Sequence, residues 1–119
     1  LVQESTNGLN CKTIAEAAAK NNQARTGYMT YVLQSHFSKT YNKCYYELNI
    51  NLPPATGVAS SVSTDIRVAP DDDWIAECSS GVYPPPQLFC TTHITYYPND
   101  KGQTTEERFH QLEQQYLTN

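Results

Sequence analysis

Long hydrophobic runs are missing from this chain of 119 residues. About 20 consecutive apolar residues are needed to cross a bilayer as a helix, so a membrane span is excluded. Leu, Ile, Val and Phe together supply only 22 residues. That is low for a globular chain, but the high net charge that completes the signature of disorder is also missing, the formal charge being −4. Cations are few and scattered: Lys12, Lys20, Arg25, Lys39, Lys43, Arg67, Lys101 and Arg108. A phosphate-binding surface needs them clustered, so nucleic acid is not an expected partner. Only five glycines occur, none in a phosphate-cradling loop. No C-x-x-C is present, which excludes a zinc knuckle or a thioredoxin-type motif. H-x-H, H-E-x-x-H, H-x-x-E-H and G-x-S-x-G are absent as well. No cofactor is implied by any motif. There is no N-x-S/T acceptor, which points away from a eukaryotic secreted protein and towards a bacterial periplasm or cell surface.

What the chain does have is polar and sheet-forming. Nine Tyr and thirteen Thr favour strands, and the length fits one domain spanning residues 1–119. Four widely spaced cysteines, Cys11, Cys44, Cys78 and Cys90, read as two disulfides of an exported protein. Cys78 and Cys90 flank the proline run 84–86 and end adjacent predicted strands. The expected pairing is therefore Cys11–Cys44 and Cys78–Cys90. The chain starts Leu-Val-Gln-Glu rather than with Met, as a removed leader or the boundary of an expressed piece would leave it.

Residues 1–8 are expected as a loose lead-in. Asn10 is a plausible N-cap, Thr13 and Glu16 have capping-box spacing, and the Ala-rich run to Arg25 predicts a helix with Ile14, Ala17, Ala18 and Asn21 on its buried stripe. Tyr28–Phe37 alternates, with Tyr28, Thr30, Val32, Gln34 and His36 on one face. In 44–51, Cys44, Tyr46, Leu48 and Ile50 are expected in the core, and Tyr45, Glu47, Asn49 and Asn51 in water. Strands are further expected at 62–68, 74–79 and 87–97. Thr104 and Glu107 form a second capping box, and Phe109, Leu112 and Tyr116 make an i, i+3, i+7 stripe on a C-terminal helix. The fold class is α+β: two layers, an antiparallel sheet of four to five strands with both helices on one face. A cystatin-like curved sheet wrapping a helix is one architecture with this element order.

His36 and His93 both fall on the outer face of the expected sheet and could approach if their strands were neighbours. A shared metal or acid–base site is then the sharper reading, and two solvated histidines the simpler one. His110, beside Phe109, reads as surface. Asp71-Asp72-Asp73 reads as a solvated turn without the spacing of a Ca²⁺ loop. No carboxylate pair is identifiable, Glu47 being the one acid in a cleanly alternating strand. The binding candidates are Tyr28, His36, Tyr45, His93 and Tyr97 on the outer face, and Tyr83 in the proline loop bounded by Cys78 and Cys90. Exposed aromatics offer large area with little entropy to lose.

The segment Ser35-His36-Phe37-Ser38-Lys39-Thr40-Tyr41-Asn42-Lys43-Cys44-Tyr45-Tyr46-Glu47-Leu48 resembles a pattern of small uncharacterised bacterial exported proteins. In these an S-H-Y-N-like stretch precedes N-K-C and an apolar strand. Phe37-Ser38 departs from the Tyr-Asn of that pattern. The resemblance implies export and a structural Cys44, and no activity. The leading expectation is an exported bacterial domain that binds a protein or other surface ligand. The alternatives are a small hydrolase or metal-dependent enzyme built on His36 and His93, and a structural envelope component.

Overall fold

A computed structural model describes residues 2–52, 61–81 and 88–118, with side chains from residue 10 onward. Tyr83 and the proline run lie outside the described residues. The elements are α1 (Val2–Thr26), β1 (Met29–Ser38), β2 (Lys43–Leu52), β3 (Ser61–Val68), β4 (Asp73–Gly81), β5 (Leu88–Thr92), a 3-10 turn (Pro98–Asp100) and α2 (Glu106–Leu117). The strands form one antiparallel sheet in the order β1-β2-β3-β4-β5. The α+β class and the antiparallel sheet are as expected. Both disulfides are also those expected: Cys11–Cys44 ties α1 to β2, and Cys78–Cys90 joins β4 to β5.

The helices, however, lie on opposite faces of the sheet, not on one. Successive strand residues point to opposite sides. On β2, Cys44, Tyr46, Leu48 and Ile50 pack with Cys11, Ala15 and Ala19 of α1. The intervening Tyr45 packs with Phe109, Leu112, Tyr116 and Leu117 of α2. Residues 44–48 are therefore all buried. The expectation that Tyr45 and Glu47 face water fails because an alternating strand at the centre of a sheet is covered from both sides.

α1 begins at Val2, so the expected lead-in at residues 2–8 is helix and Asn10 lies inside it. Its buried face runs Cys11, Ala15, Ala19, Asn22, while Ile14 is exposed. The disulfide to Cys44 turns Cys11 to the sheet, and the i, i+4 spacing carries that choice along the helix. The small side chains let α1 lie close, and Asn22 Nδ2 donates to Thr30 Oγ1 at 2.9 Å. β1 carries a bulge between Val32 and Gln34. Val32 pairs with Leu48, but Ser35 pairs with Tyr46 and His36 with Tyr45. The single alternating face expected for 28–37 is thus switched at Leu33.

β5 stops at Thr92. His93–Tyr97 leave the ladder in a turn, with the Tyr96 and Tyr97 amides both donating to the His93 carbonyl. α2 is capped by Thr105, whose hydroxyl accepts from the Arg108 amide at 3.1 Å, one residue later than the expected cap. Its expected stripe of Phe109, Leu112 and Tyr116 is buried. Each such side chain contributes about 1.5–3 kcal/mol when removed from water.

Candidate functional site

The strand register arranges the α2 face of the sheet in cross-strand rows. One row is Met29–Asn51–Val62–Ser80–Leu88, the next Tyr31–Asn49–Thr64–Cys78–Cys90, and the third Gln34–Glu47–Ile66–Ala76–Thr92. α2 packs on Tyr45, Ile66, Val68 and Ala76 and reaches the disulfide in the second row. The first row stays outside that cluster. Met29, Tyr31, Leu33 and Leu88 keep 43–53 % of their surface exposed. A cavity of about 270 Å³ lies where α2 stops covering the sheet. Leu33, Val62, Leu88 and Phe109 are apolar parts of its lining; Glu47, Glu106, His110 and Glu113 are the ionisable ones.

Glu47 is the unusual group. It is 2 % exposed. Its Oε1 accepts from Gln34 Nε2 at 3.1 Å. Its buried Oε2 has no donor. Burial first, and the adjacent Glu113 carboxyl second, push its pKa up to about 8. Glu113 Oε1 also lies 2.6 Å from His110 Nδ1, and Glu106 Oε1 is 3.5 Å from His110 Nε2. The bond to Glu113 raises the His110 pKa. A buried acid and an exposed imidazole thus stand on either side of Glu113 along the cavity wall.

The anticipated histidine site does not form. His36 is on β1 and His93 follows β5, at opposite edges of the sheet. Four strand spacings of about 4.8 Å separate those edges, roughly 19 Å and beyond any shared ligand. Nor do the aromatic candidates make one open face. Tyr45 is buried against Tyr116 at 4.7 Å between ring centroids. Tyr97 is half-buried, its hydroxyl 2.5 Å from that of Tyr116 and its ring under the Arg108 guanidinium. His93 packs edge-on against Trp74. His36 shares a row with Tyr45, and its Nε2 is buried without a partner. Tyr28 is exposed ahead of β1.

The sequence marks Glu47 only as a water-facing strand acid and His110 as a surface histidine, which it is, and singles out Glu113 not at all. The spacing of Glu106, His110 and Glu113 places them on one helix face. Nothing local brings that face to Glu47.

The opposite face of β3 and β4 is also polar, and most of its groups bond to one another, the buried Arg67 Nε being left without a partner. Arg67 pairs with Asp65 and with Asp72, each at 2.9 Å. Ser63 donates to Asp65, and Ser79 to Glu77. Tyr46 donates to Asp72. Asp72 is thus tied into the fold rather than being only a solvated turn residue. Burial and then Asp65, its cross-strand neighbour, raise the Glu77 pKa. A larger cavity of about 590 Å³ between α1 and β1 is lined by Glu16, Lys20, Gln23 and Thr30 among others, and its two charged groups are both exposed.

Among the described residues, no group of three or more His, Cys, Asp or Glu is arranged to hold a metal ion. Among the same residues, no helix is long and apolar enough to cross a membrane. No family model, no curated protein and no solved structure matches the chain.

Proposed function

We propose that this chain is an exported bacterial binding domain whose ligand lies in the groove beside α2. The observation that carries the reading is the half-covered sheet face. α2 seals the central rows and leaves Leu33, Val62 and Leu88 around a cavity that ends on a buried carboxyl. An apolar surface with one convergent polar group is what a small-molecule site requires. Export is supported by the two disulfides, which persist in oxidising compartments, and by the N-K-C resemblance around Cys44.

The test is titration with a neutral apolar dye, N-phenyl-1-naphthylamine, followed by fluorescence. Saturable binding is expected, weakened at least tenfold by Leu33→Asp or Leu88→Asp. Both positions are exposed, so the fold, checked by circular dichroism, should persist. Binding that is absent, or unchanged in both variants, refutes the groove as the site.

A further inference from the structure

We propose that Glu47 and Glu113 are the head-group site of this groove and that they bind the ammonium of an aliphatic primary amine. This rests on the groove being the binding site and names the chemistry of its occupant.

The first argument is the unmet valence. Glu47 is almost wholly buried, lines the cavity, and has one oxygen satisfied by Gln34 and one without a donor. Leaving a buried polar oxygen unpaired is costly, so a ligand that pairs with it gains more there than on an open surface. The second argument is sign. Among the described residues, the ionisable lining is three carboxyls, Glu47, Glu106 and Glu113, and one imidazole, with no Lys or Arg. The groups around Glu47 are Gln34 on β1, Ile66 on β3 and Glu113 on α2, with His110 bonded to Glu113. Among the described residues no Lys or Arg is placed against Glu47, so a positively charged donor would meet no like charge there.

The third argument is shape. A guanidinium prefers both oxygens of one carboxylate, but Gln34 already holds one of Glu47's. A primary ammonium is a point charge with three rotatable donors and can serve one oxygen of Glu47 and one of Glu113 together. The remaining wall, Leu33, Val62, Leu88 and Phe109, suits an alkyl chain. A cavity of about 270 Å³ leaves room for a short alkyl chain such as that of n-octylamine.

In the free protein at pH 6.5, Glu47 holds its proton, because burial and the nearby Glu113 carboxyl push its pKa up to about 8. The incoming ammonium takes that proton's place, and the proton leaves to solvent as the ion pair forms. Binding near pH 6.5 should therefore release about one proton.

The experiment is calorimetry on the full disulfide-bonded chain at pH 6.5, with n-octylamine and 1-octanol as probes, in buffers of different ionisation enthalpy. The expected result is at least tenfold tighter binding of n-octylamine, with proton release. Glu47→Gln should abolish both the amine preference over 1-octanol and the proton release. Glu113→Gln, at a more exposed position, should reduce the preference too and serves should Glu47→Gln fail to fold. Equal affinity for the two probes overturns the head-group assignment while the groove reading stands. So does an amine preference that survives both variants, which marks non-specific attraction to an acidic protein. If neither probe binds, the groove reading falls and this inference with it.

Discussion

Replacing Glu47 by Gln should change how stability depends on pH, in a way that isolates one buried group. Burial and Glu113 raise the Glu47 pKa from 4.5 to about 8. Below pH 4.5 the carboxyl is protonated in the folded and the unfolded chain, and it costs nothing. Between 4.5 and 8 the unfolded chain has released its proton while the folded chain still holds it. The folded state then binds more protons, so stability falls as pH rises across that window and levels off above 8. At about 1.4 kcal/mol per pH unit, the ceiling on this loss is on the order of 5 kcal/mol. The cavity opens to solvent, so about half of that ceiling is the working expectation. Gln at position 47 keeps an acceptor for Gln34 and a donor towards Glu113 but does not titrate. His110 and Glu77, whose pKa values are also raised, lose stability in the same direction. They are present in both proteins and cancel in the difference. Urea unfolding at pH 5, 6, 7, 8 and 8.5 should show Glu47→Gln gaining on the parent by about 2–3 kcal/mol across the series. Parallel curves, within about 0.5 kcal/mol throughout, would refute a buried neutral Glu47.

Three further perturbations probe the frame around the site. Arg67→Ala should destabilise by about 3–5 kcal/mol in denaturant melts, because Asp65 and Asp72 would lose their shared cation in a largely buried setting. Removing Cys11–Cys44 by the double Ala variant should cost about 4 kcal/mol and removing Cys78–Cys90 about 3, since the first closes the longer loop. The reverse order in unfolding free energies would contradict that account. Thr105→Ala removes the cap of α2 and should lower stability by about 1 kcal/mol, readable as a fall in the denaturation midpoint. It should also weaken amine binding, because Glu113 and His110 ride on that helix.

Local patterns in the chain carried a large part of the architecture. The Phe109, Leu112, Tyr116 stripe, the alternation of 44–51 and the breaker at 98–102 depend on neighbours within a few residues, and each appears in the fold. The cysteine pairing was legible because Cys78 and Cys90 end adjoining strands, which leaves Cys11 and Cys44 for each other. The strand expected over 87–97 failed in its second half, where His93–Tyr97 alternate well enough for a strand but turn away beyond Thr92. Propensity permits a ladder and does not supply the partner strand that would accept it.

By itself, then, the sequence determined a helix–sheet–helix order, an antiparallel meander and two disulfides, all readable from short-range periodicity and spacing. Only the tertiary structure decided which face each element covers. The bulge at Leu33 reverses the sides of β1, and Cys11 fixes the rotation of α1. α2 then crosses to the face opposite α1 and encloses Glu47. A strand's alternation says that two faces exist, but not whether water or protein lies against each. Whether Glu47 is a solvated carboxylate or a buried acid turns on a helix some sixty residues further along the chain, through a contact that no local pattern records.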